Sequence, residues 1–175
     1  AAAEPGAEKP SAEAVRATVE ADPGAAARPF ATPAGWKPVK GALVRLRPGL
    51  GEKYGLLAGE LATVSMVCAD GDIVLQCNGK DLLWFEPADL AHGFDGWLPL
   101  HAAAALALDK EALSLLLEAY PAAAATADAD GQYPFELLPS SASDDAATLL
   151  VTACIAVSGE GVLWRLLDAA LTGKK

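Results

Sequence analysis

Cysteine and histidine are scarce in this chain. Its 175 residues contain 3 cysteines and 2 histidines. Cys68, Cys77 and Cys154 form no Cys-x-x-Cys spacing and are odd in number, so the sequence predicts neither a zinc site nor a disulfide framework. Reduced thiols indicate a reducing compartment. We therefore expect no metal and no cofactor.

Basic residues are also few. The chain has 13 lysines and arginines against 23 aspartates and glutamates, for a formal charge of −10. Nonspecific nucleic-acid binding depends on basic side chains that neutralise phosphates, so the composition argues against a nucleic-acid partner. Long apolar runs are missing as well. The run at 146–157 has 12 residues, against about 20 for a membrane span, and predicts a buried helix.

The residue types that commonly carry catalysis form no recognisable set. No serine or cysteine lies in a nucleophile elbow. The glycine-rich run 49–55 lacks the spacing of a phosphate-binding loop, because Tyr54 follows Lys53 where serine or threonine is needed. The pair Asp144 and Asp145 indicates the start of a helix. The sequence thus predicts a protein that is not an enzyme.

Residues 1–35 combine alanine, proline, glycine and charge with few large side chains. Such a segment buries little surface to offset ordering entropy, which favours an N-terminal arm or linker. Within it, Ser11 is placed to cap a short helix through Ala21, with Val15 and Val19 on its apolar face. The alanine-rich start fits an organellar protein whose transit peptide has been removed, and it fits a trimmed boundary equally well.

Between Trp36 and Leu90 the apolar residues alternate with period two, which predicts strands. Asp70-Gly71 and Asn78-Gly79 are two-residue hairpin signals and indicate a three-stranded meander. The predicted strands cover residues 43–47, 61–68, 73–77 and 81–85. Residues 36–91 therefore have the size and strand count of a small SH3-like barrel.

A turn sequence occurs twice in the C-terminal half. Asp95-Gly96-Trp97-Leu98-Pro99-Leu100-His101 is followed 35 residues later by Asp130-Gly131-Gln132-Tyr133-Pro134-Phe135. The period after each copy is helical, and Pro139 shortens the first helix of the second copy. The predicted helices cover residues 100–108, 110–118, 146–157 with Asp144 or Asp145 as the cap, and 162–171.

These turns resemble those of ankyrin repeats, in which a Pro-Leu-His segment begins the first helix. The resemblance implies a structural role for His101, which occupies the histidine position. Leu98 stands where the family has threonine, and Glu136 stands where it has histidine. Residues 92–175 are thus expected to form two ankyrin-like repeats with a C-terminal capping helix. The ending Leu117-Glu118-Ala119-Tyr120-Pro121 is similar to ankyrin variants common in unicellular algae.

The preceding segment is similar to the SH3-like repeats of Mind bomb-type ubiquitin ligases. The matching residues are Gly41–Gly49, Tyr54-Gly55, Asp70-Gly71-Asp72 and Trp84–Leu90. In that family such repeats lie beside ankyrin repeats and bind short segments of other proteins. Three cysteines do not suffice for a RING domain, so no ligase activity is implied.

The sequence therefore predicts an α+β multidomain protein, a small SH3-like β-barrel followed by a short α-helical ankyrin-like repeat stack. The expected function is a non-catalytic protein-protein interaction module or adaptor, an accessory subunit of a larger assembly. Two alternatives stay open. The chain could be a regulatory fragment of a larger enzyme such as a ubiquitin ligase, or a subunit of a plastid or mitochondrial complex. The compartment is cytoplasmic or organellar under either.

Five aromatic residues are the candidate partner-binding side chains. Trp97 and Tyr133 are interpreted as the same position of the two repeats, on loops that line the concave face in the ankyrin family. Trp84, Phe85 and Tyr54 belong to the predicted barrel. They are candidates because small barrels bind extended peptides through aromatic grooves. Alternation turns Trp84 and Phe85 to opposite faces, so one of the two is expected in the core and the other in solvent.

Overall fold

The computed structural model describes residues 9–47, 61–77, 80–139 and 141–158. The chain divides into two compact units. The sheet unit contains Pro29–Trp97 and Ala129–Gln132, and the helical unit contains Pro10–Arg28, Leu98–Asp128 and Tyr133–Lys175. Taken together the two units are an α+β protein, which confirms the predicted class.

The sheet unit is built on five antiparallel strands. They are β1 (Leu43–Leu46), β2 (Ala62–Val67), β3 (Ile73–Cys77), β4 (Lys80–Phe85) and β5 (Leu90–His92). The strand order is β4-β3-β2-β1-β5. The predicted meander of β2, β3 and β4 is confirmed, while the predicted turn at Asn78-Gly79 lies outside the described residues. His92 ends strand β5 and pairs with Val44.

The sheet must be strongly curved, although it is not a closed barrel in the described part of the chain. Strand β4 ends at Phe85 and β5 begins at Leu90, and the link includes a 3-10 turn at Pro87–Asp89. Five steps of extended chain reach at most ~18 Å, and a 3-10 turn reaches less. The outer strands of a flat five-stranded sheet would lie ~19 Å apart. Because the link is shorter than this separation, the two outer strands must curl towards each other.

The core of the sheet unit lies on one face of the sheet. Val44, Val64 and Phe85 belong to it, with Ile73 and Leu75 as alternate residues of β3. Its remaining buried members are Ala62 and Leu90. Because alternate residues of a strand point to opposite faces, the residues between these core positions lie on the outer face.

The helical unit contains four described α-helices. They are α1 (Ala12–Ala21), α2 (Pro99–Ala105), α3 (Lys110–Ala119) and α4 (Asp144–Ser158), with 3-10 turns at Pro23–Ala27, Pro121–Ala125 and Pro134–Leu137. Pro99 occupies the first turn of α2, where a missing N–H is tolerated. The Asp109 carboxylate caps α3 by accepting from the Ala112 N–H at 2.8 Å.

The core of the helical unit is rich in alanine. Leu100, Leu113 and Leu150 are its largest fully buried aliphatic side chains, and Cys154 is buried with them. Its buried alanines are Ala26, Ala103, Ala104, Ala112, Ala123, Ala124 and Ala146. Alanine adds little buried area per residue, so close helix approach replaces bulk in this core.

Helix α1 confirms the helix predicted from Ser11 to Ala21. The Ser11 hydroxyl accepts from the Ala14 N–H at 3.3 Å. Val15 and Val19 pack against the helical core, so this part of residues 1–35 is ordered by the helices of its own unit. An ion pair of 2.7 Å joins Arg16 to Glu111 of α3.

Helix α4 is capped one or two residues earlier than predicted. The Ser143 hydroxyl accepts from the Ala146 N–H at 3.2 Å, so Ser143 caps the helix and Asp144 and Asp145 lie in its first turn. The helix predicted at 162–171 lies outside the described residues. Within the described ranges no helix is long and apolar enough to span a bilayer.

Candidate docking surface

Trp84 is the most exposed of the aromatic residues that the structure describes in the sheet unit. Its side chain is 58% exposed, although it lies inside strand β4, and its backbone φ is 71°. A bulky residue in this left-handed region is a backbone outlier that costs about 1–2 kcal/mol. The next residue, Phe85, is 1% exposed in the sheet core. The predicted opposite facing of the pair is confirmed, but the core position of Phe85 does not fit the partner-binding role predicted for it.

Two β-bulges lie on either side of one residue of β3, Val74. On the β2 side the register shifts between Val64 and Met66, and on the β4 side it shifts opposite Val74. The Ser65 hydroxyl donates to the Val74 carbonyl at 3.3 Å. Bulges add a residue to one strand and re-aim the side chains beside them. Both register shifts thus lie beside the same part of the outer face, where Trp84 is exposed.

The outer face at this point is apolar, with carboxylates at one end. Met66 pairs with Val74, so both side chains lie on the face opposite Ile73 and Leu75; Met66 is 51% exposed, whereas Val74 is buried at 6% exposure. Asp72 and Glu86 immediately flank the core pair Ile73 and Phe85, so continued alternation predicts that they lie on the outer face too. We call Met66, Asp72, Val74, Trp84 and Glu86 the Trp84 face. Sequence reasoning selected only Trp84 from this set.

Trp97 lies in an environment opposite to that of Trp84. Its side chain is fully buried, and the Arg45 guanidinium lies 4.8 Å from the centre of its ring. Such a contact is a cation-π interaction. A ring without exposed surface offers nothing to a partner in this conformation. The placement of Trp97 therefore differs from its predicted docking role and fits a structural one.

Arg45 connects the two repeat turns within the sheet unit. Its guanidinium donates to the Asp95 carbonyl and forms an ion pair of 3.3 Å with Asp130. The Arg45 and Asp130 side chains are 6% and 8% exposed. A buried carboxylate is stable only with a cation or with hydrogen bonds, and Arg45 supplies both. One side chain of β1 thus holds the residues that precede both predicted repeats.

A row of aromatic rings extends from Trp97. Its ring lies 6.1 Å from that of Phe94, which lies 5.7 Å from Phe30 and 5.9 Å from His92. His92 in turn meets Trp36 edge-on at 5.6 Å. Offset and edge-on pairs at these distances stabilise beyond the area they bury. The row is a packing element, and His92 is one of its members.

The repeat turns share a backbone conformation, which corrects the predicted equivalence of Trp97 and Tyr133. Gly96 and Gly131 have φ values of 75° and 77°, and Pro99 and Pro134 each begin a helical turn. Counted from these landmarks, Trp97 matches Gln132, and Tyr133 matches Leu98.

Tyr133 is partly buried in the helical unit. Its ring stacks on Phe135 with centroids 5.9 Å apart and planes 9° from parallel, and it packs against the helical core. Its backbone N–H donates to the Glu136 carboxylate at 2.8 Å. Tyr133 therefore presents only part of its ring to solvent. Tyr54, the last predicted site residue, lies outside the described residues.

Two described titratable groups of the helical unit have pKa values shifted by their surroundings. Burial raises the pKa of the Cys154 thiol, which keeps it protonated and unreactive near neutral pH. The hydrogen bond from Arg28 lowers the pKa of the Asp22 carboxyl. His101 is buried in α2 at 1% exposure, as the predicted structural role requires. In the described ranges no group of three potential ligands is arranged to hold a metal ion.

Sequence reasoning missed Met66, Asp72, Glu86 and Arg45. The hairpin signal Asp70-Gly71 and the period-two pattern fixed the strands, but the bulges that select the outer face leave no mark in the pattern.

Comparison of the chain with protein-family models, with curated proteins and with solved structures finds no match.

Proposed function

We propose that this protein is a non-catalytic protein-protein interaction module that docks a partner on the Trp84 face. The observation that carries the proposal is the state of Trp84, a large ring held at a φ of 71° and 58% exposed. Neither the strain nor the exposure stabilises the fold. Strained backbone persists where a site needs a side chain in one particular position, and exposed tryptophan is the residue type most enriched among interface anchors.

The finer architecture is part of the same proposal. In it, the sheet unit is an SH3-like barrel of the Mind bomb type and the helical unit carries two ankyrin-like repeats. The order of the five strands and the 3-10 turn before β5 support the first assignment. The matched glycine conformations at Gly96 and Gly131 support the second. Both architectures commonly present surfaces to other proteins.

A role without catalysis is supported by the places of the two histidines. His92 packs edge-on between Trp36 and Phe94, and its Nδ1 atom accepts from the Phe94 N–H at 3.4 Å. His101 is buried in the helical core region. Each ring serves packing, whereas a general acid or base must reach the reacting group directly or through one water.

Site-specific photocross-linking tests the docking role. A benzophenone side chain is introduced at Met66, and a matched chain carries it at Val39, which is also exposed but lies outside the Trp84 face. In extracts of the source cells, position 66 is expected to give discrete cross-linked partners that position 39 does not give. Trp84→Ala should remove those products. Identical products from both positions, or products unchanged by Trp84→Ala, would refute docking on this face.

A further inference from the structure

The Trp84 face carries unpaired negative charge beside its apolar centre. Asp72 and Glu86 lie next to the core pair Ile73 and Phe85, and the Asp70 carboxylate accepts from the Asp72 N–H at 3.2 Å in the β2-β3 turn. Among the ion pairs of the described residues, none includes Asp72 or Glu86. The carboxylates are therefore available to a cation supplied from outside.

The spacing of these groups suits one cationic side chain. Neighbours across an antiparallel pair lie about 5 Å apart, and alternate residues on one strand about 7 Å apart. The antiparallel register, continued one step beyond the Ile73 and Phe85 pair, predicts that Asp72 lies across from Glu86, which is two residues from Trp84. A single planar group can therefore lie over the indole ring and reach a carboxylate at the same time.

From this arrangement we propose that the Trp84 face binds an extended protein segment through an arginine. The inference rests on the proposed docking function and adds the chemistry of the partner. A guanidinium stacks on an aromatic face and pairs with a carboxylate in a two-pronged contact, whereas a lysine ammonium is a more strongly hydrated point charge. Met66, which is 51% exposed, supplies apolar surface for the aliphatic stem or for a neighbouring aliphatic residue of the segment.

Charge complementarity selects this occupant over others. Phosphate-bearing partners are repelled by Asp72 and Glu86 and by the net charge of −10. The apolar part of the face spans three neighbouring strands, from the exposed Met66 on β2 to the exposed Trp84 on β4. Three strands cover about 10 Å, which is the length of three extended residues. The segment thus places one arginine and one or two aliphatic residues on the face.

Nuclear magnetic resonance of the full chain tests the proposal through tryptophan indole N–H signals. The chain has 4 tryptophans, and the Trp84 signal is assigned by its loss in Trp84→Phe. The probe is a blocked hexapeptide of alternating leucine and arginine. It is expected to shift the Trp84 signal, and replacing its arginines with glutamine should weaken binding at least tenfold. A lysine version should bind between the two.

Charge variants locate the contact. Asp72→Asn with Glu86→Gln should weaken binding of the arginine peptide at least fivefold. The matched control is Glu20→Gln with Glu118→Gln, which removes the same charge from exposed positions of the helical unit and should leave binding within twofold. Equal weakening by both pairs would show that net charge alone attracts the peptide, and would overturn the inference.

Other outcomes also decide between the two proposals. Equal affinity for the arginine and glutamine peptides would overturn arginine recognition while leaving docking on the face intact. A Trp84 signal that no peptide moves would likewise overturn it. A concentration-dependent dimer that Trp84→Ala abolishes would show that a second copy of the chain occupies the Trp84 face. That result would refute the inference. Failure of the cross-linking experiment, in contrast, would remove the docking function itself.

Discussion

Two tryptophans of the sheet unit have opposite environments. Trp97 is fully buried, with Arg45 over its ring, and Phe94 of the aromatic row is its neighbour. Trp84 is mostly in solvent on a left-handed backbone. Both belong to the same aromatic composition, and both were candidates for partner binding. A tryptophan can therefore be assigned as a binding anchor only when its backbone conformation and its neighbours are considered together with its residue type.

The two environments also differ in what they contribute to folding. Replacing a buried large ring with a small side chain costs several kcal/mol of folding stability. A cation-π contact adds to the stability that the ring contributes. The left-handed backbone at Trp84 instead costs about 1–2 kcal/mol. The Arg45 and Trp97 contact therefore stabilises the fold, whereas the backbone at Trp84 costs free energy. This separation makes the two regions independently testable.

Replacing each tryptophan with alanine should give the largest contrast. Trp97→Ala leaves a cavity beneath Arg45 and should lower the free energy of unfolding by about 3–5 kcal/mol. Trp84→Ala should lower it by about 1 kcal/mol or less, because the ring is mostly hydrated already. Urea denaturation followed by circular dichroism measures both. Losses of similar size in the two variants would contradict the assignment of Trp97 to the core and of Trp84 to the surface.

Arg45 should matter for stability more than Arg47, which lies just after β1. Arg45→Met removes the cation that faces the buried Asp130 carboxylate, and we expect a loss of about 3 kcal/mol, since breaking a buried pair leaves a buried charge. Arg47→Met is the matched control. The Arg47 side chain is exposed and donates to the Ala88 carbonyl at 2.8 Å, so its removal should cost under about 1 kcal/mol.

A double variant separates charge from packing at this site. Adding Asp130→Asn to Arg45→Met removes the buried negative charge, so the double variant should be more stable than Arg45→Met alone. Such a gain is the non-additivity expected for residues in direct contact. Strict additivity of the two losses would show that the pair does not couple, and the two repeat turns would then need another account of their attachment.

The sequence was informative where neighbours along the chain decide the structure. The caps at Ser11 and Asp109, the proline start of α2 and the strand alternation all depend on residues within a turn or a strand, and all were predictable locally. Arg45 could not be assigned in this way, because its partners Asp95 and Asp130 lie 50 and 85 residues away.

The candidate docking surface was only partly predictable for a related reason. Alternation indicated that either Trp84 or Phe85 is exposed, and it could not say which. The choice depends on the bulges beside Val74, which shift the register by one residue on both sides of β3. A shift by one residue exchanges the two faces of a strand, so the identity of the exposed ring follows from pairing between strands.

Glycine at position 84 offers the finest comparison of strain and function. Glycine adopts a φ of 71° without steric cost, whereas alanine at the same φ retains the clash of its Cβ atom. Trp84→Gly should therefore be more stable than Trp84→Ala by about 1 kcal/mol, the reverse of the order found in the interior of a regular strand. A thermal melt of both variants measures the difference.

Val64 supplies the control for this comparison, because it lies in β2 within the sheet core. The Val64→Gly variant should be less stable than the Val64→Ala variant by about 0.5–1 kcal/mol. Trp84→Gly should at the same time lose the cross-linked products of the Met66 probe as fully as Trp84→Ala does. A chain that gains stability relative to alanine and still lacks its partner would show that the strained backbone serves the ring. If glycine is the less stable residue at position 84 as well, the left-handed backbone there carries no strain, and the selection of Trp84 must rest on its exposure alone.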